Sequence, residues 1–347
     1  MRNRKFDIAK FLGILLVVSC HANFPWFIEG RFFHMALFFF ITGYLSEKSF
    51  EKPFREFLVS KVKTLYLPFV IAELAFVGLH NAFYHAGLAV THYSFGELWL
   101  AVKHVLCFNN TEMMLSPLWF LPALFFVNLL SYGLKRELGD GRWLLVSTVL
   151  GILGVMNTLP RIPESWEFDN GLNVILVAQW ICCLGYRARS MDMPRFFESF
   201  SGKCMAARAV VWLYVFNRWG LLTIDMRTNT YNPVLFWLIA TGVGIYLILF
   251  LAYWMDKVDW LAVAFAAAGR ASLYIFILHI ACFKMICWAQ VRWLGYDGES
   301  LPVWGNVSQE SGWEVVYILT GILLPLAFSA LVRKVSGVIR RKRKKTA

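Results

Sequence analysis

The sequence predicts an all-α polytopic membrane protein: a single bundle of about ten transmembrane helices with both termini cytoplasmic. Three observations predict it. Of the 347 residues 59% are hydrophobic and 16% charged, against roughly 45–50% and about 25% in soluble domains. The surplus is gathered into runs of about 20 residues, the length that crosses a bilayer, and a helix is the form in which such a run satisfies its own backbone there. Of the net charge of +12, 11 sits at the two ends. Eight basic residues and no acid lie between Arg333 and Lys345, and Arg2, Arg4, Lys5 and Lys10 stand against Asp7 alone. Basic flanks of this kind stay on the cytoplasmic side.

The spans follow from apolar runs bounded by charge, Pro and polar clusters: 6–26, 31–47, 66–85, 118–134, 143–157, 172–187, 206–222, 233–254, 271–291 and 314–333. The inner loops hold Lys48, Lys52, Arg55, Lys61 and Lys63, then Lys135, Arg136 and Arg142, then Arg187, Arg189 and Arg195, while the outer loops are poorer in basic residues. Two segments do not fit a span. Residues 94–110 carry Glu97, Lys103 and His104 among apolar neighbours and predict an amphipathic helix on the outer surface. Residues 258–268 predict a short interfacial helix ended by Gly269, which keeps Arg270 out of mid-bilayer and starts the next span at Ala271. Residues 1–333 are thus one transmembrane domain and 334–347 a basic cytoplasmic tail.

Several function classes fall away. The terminal run Arg340 to Lys345 adjoins a final span, where it reads as an orientation signal near anionic lipid rather than a grip on nucleic acid. The seven cysteines have no metal-ligand spacing, and neither GxGxxG nor a P-loop occurs, so no metal is expected. Val17-Val18-Ser19-Cys20 imitates a lipoprotein processing site, but Asp7 and Lys10 interrupt the apolar region before it.

Chemistry concentrates between Asp7 and His21. At 100° and 1.5 Å per residue, Lys10 and His21 differ by roughly 20° and lie about 16 Å apart along one helix face, with Asp7 within about 40° of it. Ionisable side chains inside a span face the bundle interior or a wet cavity. The spacing forbids direct contact, so this face can serve opposite ends of an elongated ligand. The alternative is an Asp7–Lys10 pair one turn apart and a satisfied core histidine. Pro25 should end the first span, and a tight return brings His34 back toward His21. Trp119 and Phe120, before Pro122, read first as an interfacial aromatic anchor, with lining of the acyl or acceptor pocket as the second reading. His279 reads as a helix-to-helix hydrogen bond or as a second polar wall residue, and Glu73 and Lys284 fall inside spans without an evident role.

With those residues in view, the sequence resembles the membrane acyltransferase type 3 family, and within it the fucose 4-O-acetylase-like branch. The resemblance rests on ordered patches: Arg4-Lys5-Phe6-Asp7 with Lys10 and Val17-Val18-Ser19-Cys20-His21; Phe33-His34 through Thr42-Gly43-Tyr44; Lys61 to Pro68; Leu118-Trp119-Phe120-Leu121-Pro122; and Gly269-Arg270-Ala271-Ser272 through Leu278-His279. Departures are local: Cys20 stands where the family usually has Gly, and Lys61 and Thr64, with Lys63 beside them, stand where members often carry two arginines three apart.

The resemblance implies transfer of an acyl group, usually acetyl from acetyl-CoA, to a hydroxyl of a carbohydrate or glycolipid acceptor at the cell inner membrane. On this reading Lys10, Lys61, Lys63 and Arg270 hold the phosphates of the acyl-CoA donor. His21 is the general base, or the carrier of a transient acyl group, with His34 beside it. Outer loops 86–117, 158–171 and 292–313 shape acceptor choice. The rival class is a transporter or flippase of a glycan intermediate, which would also line a polar path with His, Lys and Arg.

Overall fold

The computed structural model describes residues 3–24, 31–157, 171–303, 305–307 and 312–346, with side chains to residue 336. Pro25, residues 158–170 of the loop expected at 158–171, and the side chains of the basic tail lie outside the described residues. The architecture is almost wholly helical: α1 (Arg4–His21), α2 (His34–Tyr44), α3 (Phe54–His85), α4 (Phe95–Leu106), α5 (Phe120–Val155), α6 (Gly171–Arg187), α7 (Phe200–Arg218), α8 (Val234–Met255), α9 (Asp259–Gly269), α10 (Ser272–Leu294) and α11 (Trp313–Thr346). Single turns at Glu47–Phe50 and Met193–Glu198 and 3-10 segments fill the joints.

Six stretches among the described residues are long and apolar enough to cross a membrane: Phe54–His85, Met113–Val155, Gly171–Ser190, Val234–Met255, Ser272–Leu294 and Trp313–Ser336. The difference from the expected ten has physical causes. α1 carries Arg4, Lys5, Asp7 and Lys10, and α7 carries Lys203, Arg208 and Arg218. α2 has only 11 residues, about 16 Å of helix, half the hydrocarbon thickness. The expected spans 118–134 and 143–157 are continuous in α5 except at Gly139, whose φ of 65° and ψ of −178° separate two arms. A residue with a Cβ adopts that conformation only at a cost.

The arm after Gly139 runs antiparallel to α6, with Gln179 donating to Ser147 Oγ at 2.7 Å. α2 crosses α6 on two glycines. A Cβ at Gly43 would lie 1.8 Å from the Cys182 carbonyl oxygen, and one at Gly185 would lie 2.1 Å from that of Phe40. Such contacts are how helices approach closely where no hydrophobic force separates protein from lipid.

α1 is the centre of the bundle, packed against α2, α8, α9, α10 and α11. α9 closes on it so tightly that a Cβ at Gly269 would lie 1.7 Å from the Asp7 carbonyl oxygen. This enclosure buries Asp7 and Ser19 along with the apolar residues of α1. The short helix expected at 258–268 is α9. The surface helix expected at 94–110 is α4, which ends at Leu106 and opens on a Ser94–Glu97 capping box. Its Phe95, Trp99 and Leu100 face outward while Ala101 and Val105 are buried.

Not expected was an antiparallel hairpin, β1 (Thr223–Asp225) with β2 (Thr230–Asn232), in the register Ile224 opposite Tyr231. Tyr231 stacks on Trp237 with centroids 4.1 Å apart, and Asn229 donates to Gly154 O at 2.7 Å and Asn157 Oδ1 at 2.8 Å. The hairpin is thereby fixed to the end of the bundle where α1 terminates at His21.

Candidate active site

At that end lies a cavity of about 620 Å³. The last turn of α1 supplies Val17, Cys20 and His21, and the first turn of α2 supplies His34. Thr111, Ser116 and Trp119 come from the segment leading into α5, and Asp225, Met226 and Arg227 from the hairpin, with Arg31 beside Phe32. The two histidines expected to meet do meet in one cavity, because α2 begins close to where α1 ends.

A second cavity of about 350 Å³ opens toward the other end of α1. Lys10 and Ile14 form its α1 wall, Thr42 and Ser46 come from α2 and its exit, and Lys61 and Thr64 from α3. Lys61 sits at the edge of a π-helical turn, Val62–Tyr66, that precedes Pro68. The wide turn absorbs the missing donor of the proline, and such bulges recur at functional sites. Lys63 and Arg270 are exposed and lie outside this lining, although Ser272 and Leu273, just after Arg270, belong to it.

The two cavities lie in series along one face of α1: Lys10 and Ile14 in the first, Val17 and His21 in the second. Phe276 of α10 lines both. Its ring meets Phe120 at 5.7 Å, and Phe120 meets Phe38 at 5.9 Å, so three aromatic rings stand at the junction. The interfacial-anchor reading of Trp119 and Phe120 is therefore corrected. Trp119 is 8% exposed and lines the histidine cavity, and Phe120 lines the lysine cavity, because the 3-10 segment Met113–Trp119 packs inward against α10.

His279 departs from both expectations. Its hydrogen bonds are neither between helices nor to the cavity. Nδ1–H donates to the carbonyls of Ile275 at 3.0 Å and Phe276 at 2.9 Å within α10. Its ring lies 5.3 Å from that of His21, and its buried Nε2 has no hydrogen-bond partner among the described residues. An orphaned buried acceptor costs about 1–3 kcal/mol.

Glu73 and Lys284 acquire roles in fixing loops beside the histidine cavity. Glu73 Oε2 accepts from the Thr111 backbone N–H and hydroxyl, each at 3.2 Å, holding a residue of the cavity wall. Nearby His80 bonds Glu112 at 2.9 Å through Nδ1, donates from Nε2 to Thr91 O at 3.0 Å, and stacks on Tyr93 at 3.5 Å. Burial pushes the Glu112 carboxyl above its ordinary range, against the pull of His80. Lys284 donates to Val303 O at 2.6 Å and Gly305 O at 2.8 Å, and it shares a small cavity of about 90 Å³ with His21 and Asn306. Among the described residues no group of three or more His, Cys, Asp or Glu is placed to hold a metal ion.

Compared with known families, residues 3–333 match the acyltransferase type 3 family, described as an acyltransferase domain. The chain belongs to the acyltransferase type 3 family. The match takes in both cavities and every helix around them, so the protein is an acyltransferase of membrane-embedded helical architecture. No curated protein and no solved structure matches the chain.

Proposed function

We propose that this acyltransferase moves an acetyl group from cytoplasmic acetyl-CoA to a hydroxyl of a sugar, polysaccharide or glycolipid at the inner membrane, as in the fucose 4-O-acetylase-like branch. The observation that carries the proposal is the pair of cavities along one face of α1, cationic at one end and bearing two histidines at the other, with Phe276 in both walls. An elongated donor with a phosphorylated tail and a reactive far end suits that arrangement.

Lys10 and Lys61 receive the phosphates, with Lys63 and Arg270 as outlying cations that attract the nucleotide. The pantetheine arm passes Phe38, Phe120 and Phe276 and brings the thioester to His21. A neutral imidazole takes the proton of the acceptor hydroxyl as the oxygen attacks the thioester carbon, then returns it to the leaving sulfur. His34 lines the same cavity and orients the acceptor. Arg31, Trp119 and the hairpin residues form the acceptor surface. About ten crossings with both termini cytoplasmic remain the topology of this proposal, with α1 and α2 packed among the more apolar helices and α7 at the edge of the bundle, its Val210, Val211 and Tyr214 exposed.

The test is transfer of label from [14C]acetyl-CoA to the polysaccharide and glycolipid fraction of membranes containing the protein. His21→Ala is expected to lower kcat by at least 100-fold. Undiminished transfer in that variant would refute His21 as base.

A further inference from the structure

We infer that His279 is a positioning residue of the transfer reaction: it accepts a hydrogen bond from one ring nitrogen of His21, so that the other nitrogen presents its lone pair to the acceptor hydroxyl. The inference rests on the reading of His21 as the base.

Three observations converge. The partners of His279 Nδ1 are both carbonyl oxygens, which only accept, so the proton is on Nδ1 and the lone pair on Nε2. The ring is held by those two bonds and has no exposed surface. Among the described residues Nε2 has no hydrogen-bond partner, and the ring that carries it lies against that of His21 at 5.3 Å, tilted by 33°.

No other described neighbour bonds Nε2. Phe276 and Phe283 flank the ring at 6.4 and 5.9 Å. α11 approaches at Gly321, where a Cβ would lie 3.4 Å from that of His279. A histidine serving only to join two helices would already spend its second nitrogen on a bond between them, and Nε2 makes none with the described residues. Here one nitrogen locks the ring within α10 and the other is kept as an acceptor beside the reaction centre. Which nitrogen of a catalytic imidazole acts is set by the hydrogen bond that the other makes, and such bonds tighten when substrates close the site.

The proton balance is simple. As the acceptor oxygen forms its bond to the thioester carbon, its proton moves to one nitrogen of His21. The C–S bond breaks, and that proton passes to the leaving sulfur. The second nitrogen of His21 stays protonated throughout and donates to His279 Nε2, which spreads the transient positive charge without taking up a proton.

Two variants separate positioning from structure. His279→Asn keeps an amide N–H near Nδ1 for the Ile275 and Phe276 carbonyls but removes the acceptor. His279→Gln offers an oxygen near the place of Nε2. Both are measured beside His21→Ala in the [14C]acetyl transfer assay, with the thermal midpoint in detergent and the KM for acetyl-CoA. The expected result is that His279→Asn loses about 10- to 100-fold in kcat with KM within twofold, the worth of one hydrogen bond to a charged imidazole, while His279→Gln retains at least five times the kcat of His279→Asn. A His279→Asn variant as active as His279→Gln, or more so, would overturn the inference, because only the structural bonds would then matter. If His21→Ala keeps full transfer, the base assignment itself fails. If His21→Ala is inactive and both His279 variants keep wild-type rates, the positioning role alone fails.

Discussion

The rings of Phe276 and Phe120 meet at 5.7 Å where the lysine cavity gives way to the histidine cavity, and Phe276 belongs to both walls. On the proposed path a donor held at Lys10 passes this contact acyl end first on its way to His21, so the contact would limit the size of the acyl group admitted.

Narrowing the side chain at that point should widen the choice of donor. Phe276→Leu is expected to raise kcat/KM for butyryl-CoA relative to acetyl-CoA by about tenfold or more, since each methylene accommodated or refused in an apolar pocket is worth about 1–3 kcal/mol. Competition between the two donors for one acceptor pool measures the ratio, and an unchanged ratio would show that Phe276 does not border the acyl path.

The lysines should act on binding rather than on chemistry. Lys10→Ala and Lys61→Ala are each expected to raise the KM for acetyl-CoA by about tenfold with kcat within twofold, the loss of one charge-assisted hydrogen bond. Lys63→Ala and Arg270→Ala, whose side chains are exposed, should have effects of a few-fold that shrink in added salt. A fall in kcat with unaltered KM in the Lys10 or Lys61 variant would contradict phosphate binding there.

Lys284 should matter for stability and for the acceptor. Lys284→Met leaves the carbonyls of Val303 and Gly305 without their donor, at about 1–3 kcal/mol for each buried group left unsatisfied. The thermal midpoint in detergent should fall, and the KM for the acceptor should rise more than that for acetyl-CoA. Equal effects on both KM values would show that the loop it holds has no part in acceptor binding.

How far the sequence discloses this site depends on which interactions are local. Lys10 and His21 share a helix face by periodicity alone, and Ile14 and Val17 continue that face between them. His34 follows a short return, so its meeting with His21 is also legible. His279 is not, because its place beside His21 depends on how α10 packs against α1 across more than 250 residues of chain. Trp119 misleads because an aromatic residue near the end of a span serves equally as a membrane anchor or a cavity wall, and only the inward turn of its 3-10 segment decides. The hairpin at 223–232 has strands of three residues and no Asn-Gly turn, too little pattern to announce a sheet. Lys61 and Lys63 differ by about 200° on a helix; which of them enters the cavity is fixed by the π turn and not by residue type.

The most direct test of a donor path from Lys10 to His21 is photo-crosslinking with a CoA thioester whose short acyl group carries a diazirine. Peptides recovered from membranes labelled with this probe should contain Val17 to His21 or Phe276, with labelling suppressed by excess acetyl-CoA and reduced in Lys10→Ala. Crosslinks confined to lipid-facing residues, or to the walls of the lysine cavity with none beyond Phe276, would contradict the account.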